Sequence, residues 1–529
     1  MTKKHFFFFL CLFFILYGVL LILKASFVVE GVRYFVLFDD EMVSMRYAKN
    51  LAHGLGLVWN VGGERVEGFT NPLWTLYMSL LHLLPIPLQK MGLLIQLSGL
   101  FLSLLTLILV KKLCSVLLVN RFGTVTALLL TAFYFPLVNW NVILGTEVSL
   151  LTLLLTSQAY LTVKILQTKR FSLLLFALLG IATLTRLDAL VPSLIITLFL
   201  YVSVKQLRRK IISRGVPVLL SFLLLQEGIR IWYYHELLPN TYYLKTTGFP
   251  TILRMTRGFF VALQMINPVL VLQTAVYVLL KKRAPLTFIS LLILSQVAYS
   301  ITVGGDAWEF FGGTNRYVTV VMPLFFVLLS LSFSEIFVFL QKKYGIRGRN
   351  LSLSQIGTMF LLLIIMNTNT ADEFVQWTTL KESYTMGQNR YQVDIANSIN
   401  ALSTPDAKVA ITLAGVTPYF SKGRYFVDLL GKNDKHIARM SVAMAGVPQN
   451  KLKRFLLYNP GHMKSDISYS LHTYNPDIVV QPLLEEESPL LSKNYHKVRL
   501  HNQYDFFLRK GSKRVLWDTI AKENSGYQL

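Results

Sequence analysis

The chain is poor in cysteine, in acidic residues and in charge altogether. Only Cys11 and Cys114 occur in 529 residues, both in or beside apolar runs, so a disulfide framework is excluded. Asp and Glu number 28 against 52 Lys and Arg, and charged residues make up only 15% of the chain. A Gly-rich phosphate cradle ending in Lys-Ser or Lys-Thr is missing, as are paired cysteines at zinc spacing and a His-Glu-x-x-His pair. These absences argue against nucleotide-loop chemistry and the common zinc sites. The nine histidines are scattered, with His436 and His462 in the polar carboxy-terminal part.

What is there is apolar: 53% of residues are hydrophobic and the mean hydropathy is +0.49, more apolar surface than a soluble fold of this length buries. The formal charge of +24 sits in short clusters between apolar runs, which is how the loops of a membrane protein look and not how a nucleic-acid face looks. The sequence therefore predicts membrane lipid as a partner and no nucleic acid.

Long apolar stretches predict about eleven spans, centred near residues 17, 101, 131, 156, 178, 197, 220, 268, 293, 328 and 360. The first, after Lys3 and Lys4, lacks a small-residue cleavage site and reads as a retained anchor. Every second loop is basic and free of Asp and Glu, for instance Lys205, Arg208, Arg209, Lys210 and Arg214, or Lys281, Lys282 and Arg283. Because Lys and Arg favour the cytoplasmic side, the amino terminus is expected inside and the carboxy terminus outside. Trp74 to Leu84 is too short to span and is expected to lie at the interface. Past about Asn367 the apolar density falls. Runs at Lys408–Leu413, Arg424–Leu430 and Asp477–Val480 read as strands and Asp394–Leu402 as a helix, so residues 370–529 are expected to form a small extracytoplasmic α/β domain behind a polytopic α-helical domain of residues 1–369.

The first outer loop, residues 30–73, is long for a connection and rich in Gly, acids and aromatics, which favours a functional loop. It holds Asp39-Asp40-Glu41, Arg46-Tyr47, Gly54-Leu55-Gly56 leading to Trp59, and Glu67-Gly68-Phe69-Thr70-Asn71. A solvated turn is the bland alternative, but adjacent carboxylates beside a membrane span are costly unless used. Partial desolvation raises a carboxylate toward the range in which it accepts a proton from a sugar hydroxyl. The same side is expected to present Glu147, Arg186, Asp188, Asn240, Lys245, Asp306 and Arg316. Arg186, Lys245 and Arg316 are candidates to hold a phosphate, and Trp59, Trp74 and Trp308 to platform a sugar, although an interfacial anchor suits Trp74 better.

The string from Asp39 to Trp74 resembles the first-loop signature of the GT-C polyprenyl-phosphate-sugar glycosyltransferases, with its nearest likeness to the mycobacterial terminal arabinofuranosyltransferases and their bacterial relatives. Gly145-Thr146-Glu147, Thr185-Arg186-Leu187-Asp188, Pro239-Asn240-Thr241, Gly304-Gly305-Asp306 with Arg316-Tyr317, Asp428-Leu429-Leu430-Gly431 and Gly461-His462-x-Lys464 extend it over most of the chain. The resemblance implies a GT-C fold in a bacterial inner membrane, a polyprenyl-phospho-sugar donor, an extracytoplasmic glycan, lipid or protein acceptor, and a catalytic Asp39 or Asp40. Glu41, Arg46, Trp59, Glu67, Asn71, Glu147, Asp188, Asn240, Asp306, His436 and His462 are then expected to bind sugar or acceptor. Glu41 stands where relatives tend to have Ala, so arabinofuranose is one candidate among several. A monophosphate leaving group needs no nucleotide site and no required cofactor; a divalent metal is compatible but not predicted. The rival expectation is a transporter or flippase of lipid-linked precursors, which would place charges near the bilayer midplane and show repeated halves. Neither pattern is seen in the sequence.

Overall fold

A computed structural model describes residues 3–265, 267–309, 315–345, 348–379, 382–442, 454–480, 488–500 and 504–523. The apolar runs fold as helices because a helix satisfies its own backbone, the condition for crossing lipid. Among the described residues seven helices are long and apolar enough to cross a membrane, or up to nine if two bent pairs each count as one. Two shorter apolar helices, Leu173–Thr185 and Leu187–Ser203, occupy the expected spans near 178 and 197. The expected span near 131 is the pair Arg121–Phe133 and Phe135–Ile143, bent by 51°. The one near 268 is the pair Thr251–Met265 and Pro268–Lys281, bent by 87°, with Ile266 outside the described residues. Proline opens the second helix of that pair and disfavours helical backbone just before it, which is where the bend falls.

The chain divides into two compact units. The first holds residues 1–24, 95–229 and 252–382, and is helical. The second gathers residues 25–94, 230–251 and 383–529, so the first outer loop packs with the carboxy-terminal domain. In this second unit β1 (Phe27–Val29) and β2 (Val32–Tyr34) form an antiparallel pair. β3 (Lys408–Ile411), β4 (Tyr425–Asp428), β5 (Ile478–Val480), β6 (Tyr495–Leu500) and β7 (Tyr504–Arg509) form one sheet in the order β4-β3-β5-β7-β6. β3 runs parallel to β4 and β5, whereas β7 is antiparallel to both β5 and β6. The first three are the strands expected from the apolar runs; the β6–β7 hairpin, whose residues carry several charges, is not expected from them.

One core of this unit joins Ile395, Ile399 and Leu402 of the helix Tyr384–Leu402 and Phe426, Ile478 and Phe506 of the sheet to Val43, Tyr47, Trp59 and Phe69 of the first loop. A smaller core, with Val427, Val479, Ile467 and Leu471, contains the helix Ile467–Tyr474. The loop thus gains its order by burying its own apolar residues with those of the sheet.

Candidate active site

Asp39, Asp40 and Glu41 open the helix Asp39–Ala52, where the helix dipole favours negative charge. Asp39 Oδ1 accepts hydrogen bonds from Val416 N–H at 2.9 Å and Gly415 N–H at 3.2 Å, at the start of the short helix Val416–Phe420. Both bonds go to Oδ1, which leaves Oδ2 outside them. Burial pushes the Asp39 carboxyl up to about 6, against those amides and Lys432, which hold it down. Gly415 is required here: a Cβ on it would stand 1.9 Å from Asp39 O. Asp40 has a different setting, with its Oδ1 2.5 Å from Lys432 Nζ.

Lys432 is a residue that sequence reasoning did not single out. The turn that carries it is built by Asp428, whose Oδ1 accepts Leu430 N–H at 3.0 Å and Gly431 N–H at 3.1 Å, and whose Oδ2 accepts Asn433 N–H at 2.8 Å. Gly431 takes φ +77°, which favours glycine. The available signal was the Asp428-Leu429-Leu430-Gly431 motif that precedes it, a turn sequence next to a strand. His462 is half-buried and its ring is held below the ordinary imidazole range by burial, with Asp40 favouring its protonated form and the ammoniums of Lys432 and Lys245 opposing it.

Most of the residues expected to bind sugar are buried and bonded within the protein. Trp59 is 4% exposed, donates its Nε1–H to Ala414 O and packs in the core, so it has no face to offer a ring. Arg46 donates to the carbonyls of Trp59, Pro418 and Arg424 and to Asn60 Oδ1, and lies over the Trp59 and Phe426 rings. Its guanidinium ties the loop to the sheet domain, and burial lowers it to about 9. Glu67 is buried against Arg230, with Nε 2.6 Å from Oε2 and Nη2 3.4 Å from Oε1. Asn71 donates to Glu41 Oε2 at 3.0 Å and accepts from Ser44 and Thr75, an interior network in which Glu41 is only 1% exposed. Asn240 spends its amide on the carbonyls of Gly431, Lys432 and Asp434. His436 is exposed and stacks on Tyr469 at 4.1 Å between ring centres. Trp74 is buried against Tyr77, not laid at a surface.

The first unit holds the other charged group. Arg186 lies between Glu147 Oε1 at 2.7 Å and Asp188 Oδ1 at 2.8 Å, and Arg316 pairs with Asp306 through Nε at 2.8 Å and Nη2 at 3.3 Å. All but Asp306 of these five residues line one small cavity with Gln296 and Tyr317. Arg186 and Arg316 belong to this unit and Lys245 to the other. Among the described residues no group of three or more His, Cys, Asp or Glu is placed to hold a metal ion.

Fold and site together define a polytopic helical membrane architecture with an α/β unit that mounts a carboxylate pair. That architecture is similar to solved membrane proteins. The ArnT of Cupriavidus metallidurans bound to undecaprenyl phosphate matches with a TM-score of 0.52 at 12% identity, over 95% of this chain and 98% of that one. The Archaeoglobus fulgidus oligosaccharyltransferase tethered to an acceptor peptide matches with a TM-score of 0.53 at 12% identity, over 98% and 75%. The same archaeal enzyme, AglB, in complex with an inhibitory peptide and a dolichol-phosphate, matches at 0.52 and 11%, over 96% and 75%. A family profile described as Domain of unknown function (DUF8728) matches residues 381–518. No curated protein matches the chain.

Proposed function

We propose that the chain is a membrane glycosyltransferase of the GT-C type that moves a sugar from a polyprenyl-phosphate donor to an extracytoplasmic acceptor. The observation that carries this is the Asp39–Asp40 pair: one carboxylate is desolvated and raised to about 6, its neighbour is held by an ammonium, and both sit at the start of one helix. Asp39 is the general base. Its carboxylate takes the proton of the acceptor hydroxyl while the anomeric carbon loses phosphate, a contribution typically worth about 10² to 10⁴ in rate. The fold shared over most of the chain with a protein bound to undecaprenyl phosphate, and with an oligosaccharyltransferase bound to dolichol-phosphate, supports a lipid-linked donor.

The basic loops support a cytoplasmic amino terminus, and so an active site and a carboxy-terminal domain on the outer face of a bacterial inner membrane. Arabinofuranose is one candidate sugar among several, and a cell-envelope glycan one candidate acceptor. The experiment is transfer by detergent-solubilised full-length protein from synthetic polyprenyl-phospho-sugars, wild type beside Asp39→Asn and Asp40→Asn. Wild type is expected to consume a donor and Asp39→Asn to lose at least about 10² in rate. Donors that bind without being consumed, or full activity in both variants, would refute the proposal.

A further inference from the structure

Charged groups other than the carboxylates meet in the second unit. Lys432 Nζ is 2.5 Å from Asp40 Oδ1. Lys245, in the helix Asn240–Thr246, brings its Cε within 3.3 Å of where a Cβ on Gly461 would stand. The next residue is His462, which feels both ammoniums and Asp40. All four groups are half-buried, deep enough for weak screening and open enough to be reached.

Their mounting is specific. Asn240 Nδ2 donates to the carbonyls of Gly431, Lys432 and Asp434. Lys464 is buried and donates to Tyr243 O at 2.9 Å, Thr247 Oγ1 at 3.2 Å and Ala438 O at 2.6 Å, while the Tyr458 hydroxyl donates to Lys245 O. These bonds pin the segment that carries Lys245 to the domain that carries Lys432. Arg186 and Arg316 pair with carboxylates of the first unit, Glu147, Asp188 and Asp306, as Lys432 pairs with Asp40 in the second.

On the glycosyltransferase reading, we propose that Lys432, Lys245 and His462 receive the phosphate of the departing lipid monophosphate. In the step, the acceptor oxygen bonds to the anomeric carbon and the bond from that carbon to the phosphate oxygen breaks. The electron pair stays on phosphate, and the hydroxyl proton goes to Asp39. Phosphate passes from a diester of roughly one negative charge to a monoester of roughly −1.5 to −2. Ammoniums facing it therefore hold the product more strongly than the donor and favour bond breaking. Lys432 exchanges its Asp40 partner for the new charge.

The test is binding of synthetic undecaprenyl monophosphate to the solubilised full-length chain by calorimetry, with undecaprenol and inorganic phosphate as comparison probes. Wild type is expected to bind the monophosphate much more tightly than either. Lys432→Gln and Lys245→Gln should each weaken it by about ten- to a hundredfold, and Lys432→Arg by much less. Undecaprenol binding as tightly as the monophosphate, or inorganic phosphate doing so, overturns a lipid-phosphate site. So does wild-type affinity in a Gln variant whose thermal midpoint is unchanged; if Lys432→Gln does not fold, Lys245→Gln on its separate segment decides. Turnover on the same preparations separates the two ideas. Lysine-dependent binding with no donor ever consumed refutes transfer and leaves the site, whereas transfer with lysine-independent binding refutes the site alone.

Discussion

Replacing Gly415 with Ala strikes the proposed base without substituting it. The backbone at Gly415 has a negative φ of −102°, outside the left-handed region that favours glycine, so the effect is chiefly one of space. The added methyl would stand 1.9 Å from Asp39 O, 2.7 Å from Asp39 Oδ1 and 2.8 Å from Asp39 C, where ordinary contact begins at 3.4 Å. The nearest atom is a backbone oxygen, so the two segments must part by about 1.5 Å, at an overpacking cost of about 1–3 kcal/mol. Such a gap breaks the bonds from Val416 and Gly415 but is narrower than a water of about 2.8 Å, so burial persists. Those amides hold the Asp39 carboxyl down; without them it rises above about 6. A displacement of this size at a reacting group costs about 10² in rate. The assay is kcat/KM against pH for Gly415→Ala, beside Gly228→Ala, whose methyl meets nothing within 4 Å. The variant should lose about 10² and shift its acid limb upward, and Gly228→Ala should match wild type. Wild-type kcat/KM with an unmoved acid limb in Gly415→Ala would refute the role given to this contact.

Wild-type kcat/KM should fall as pH drops through about 6, since protonated Asp39 cannot accept a proton; a flat profile between pH 5 and 7 counts against it. Because its folded-state value of about 6 exceeds the unfolded value of about 3.9, the native state binds more protons between them, and stability falls as pH rises through that window. Asp39→Asn should therefore gain about 1–3 kcal/mol at pH 7 while losing activity, read as a thermal midpoint raised by a few degrees. Arg46→Lys should lower the midpoint nearly as much as Arg46→Ala, because one ammonium cannot serve the carbonyls of Trp59, Pro418 and Arg424 together; full rescue by Lys would contradict the clamp. Glu67→Gln or Arg230→Gln alone should cost about 3–5 kcal/mol by unpairing a buried charge, with the double variant less than additive in a thermal-unfolding cycle.

The long apolar runs specified membrane helices, and three short ones specified β3, β4 and β5, because local hydrophobicity and period decide those elements before any partner is met. The length and composition of the first outer loop, with two adjacent acids beside an apolar run, also picked out Asp39 and Asp40. The β6–β7 hairpin escaped notice because charged residues such as Lys497, Arg499 and Asp505 interrupt its pattern; Asp505 pairs with both across the strands. Roles within the loop were not legible either. Arg46, Trp59, Glu67, Asn71 and Asn240 carry the residue types of a sugar site, yet each is buried with partners far away in sequence or in a core that only packing creates. The sequence by itself determined which segments are apolar helices and which carboxylates to suspect. Only the tertiary structure decided that residues 25–94 fold with residues 383–529, that Gly415 seats Asp39 and that Lys432 faces Asp40. The last two are contacts between residues more than 370 positions apart, for which no local pattern carries a signal.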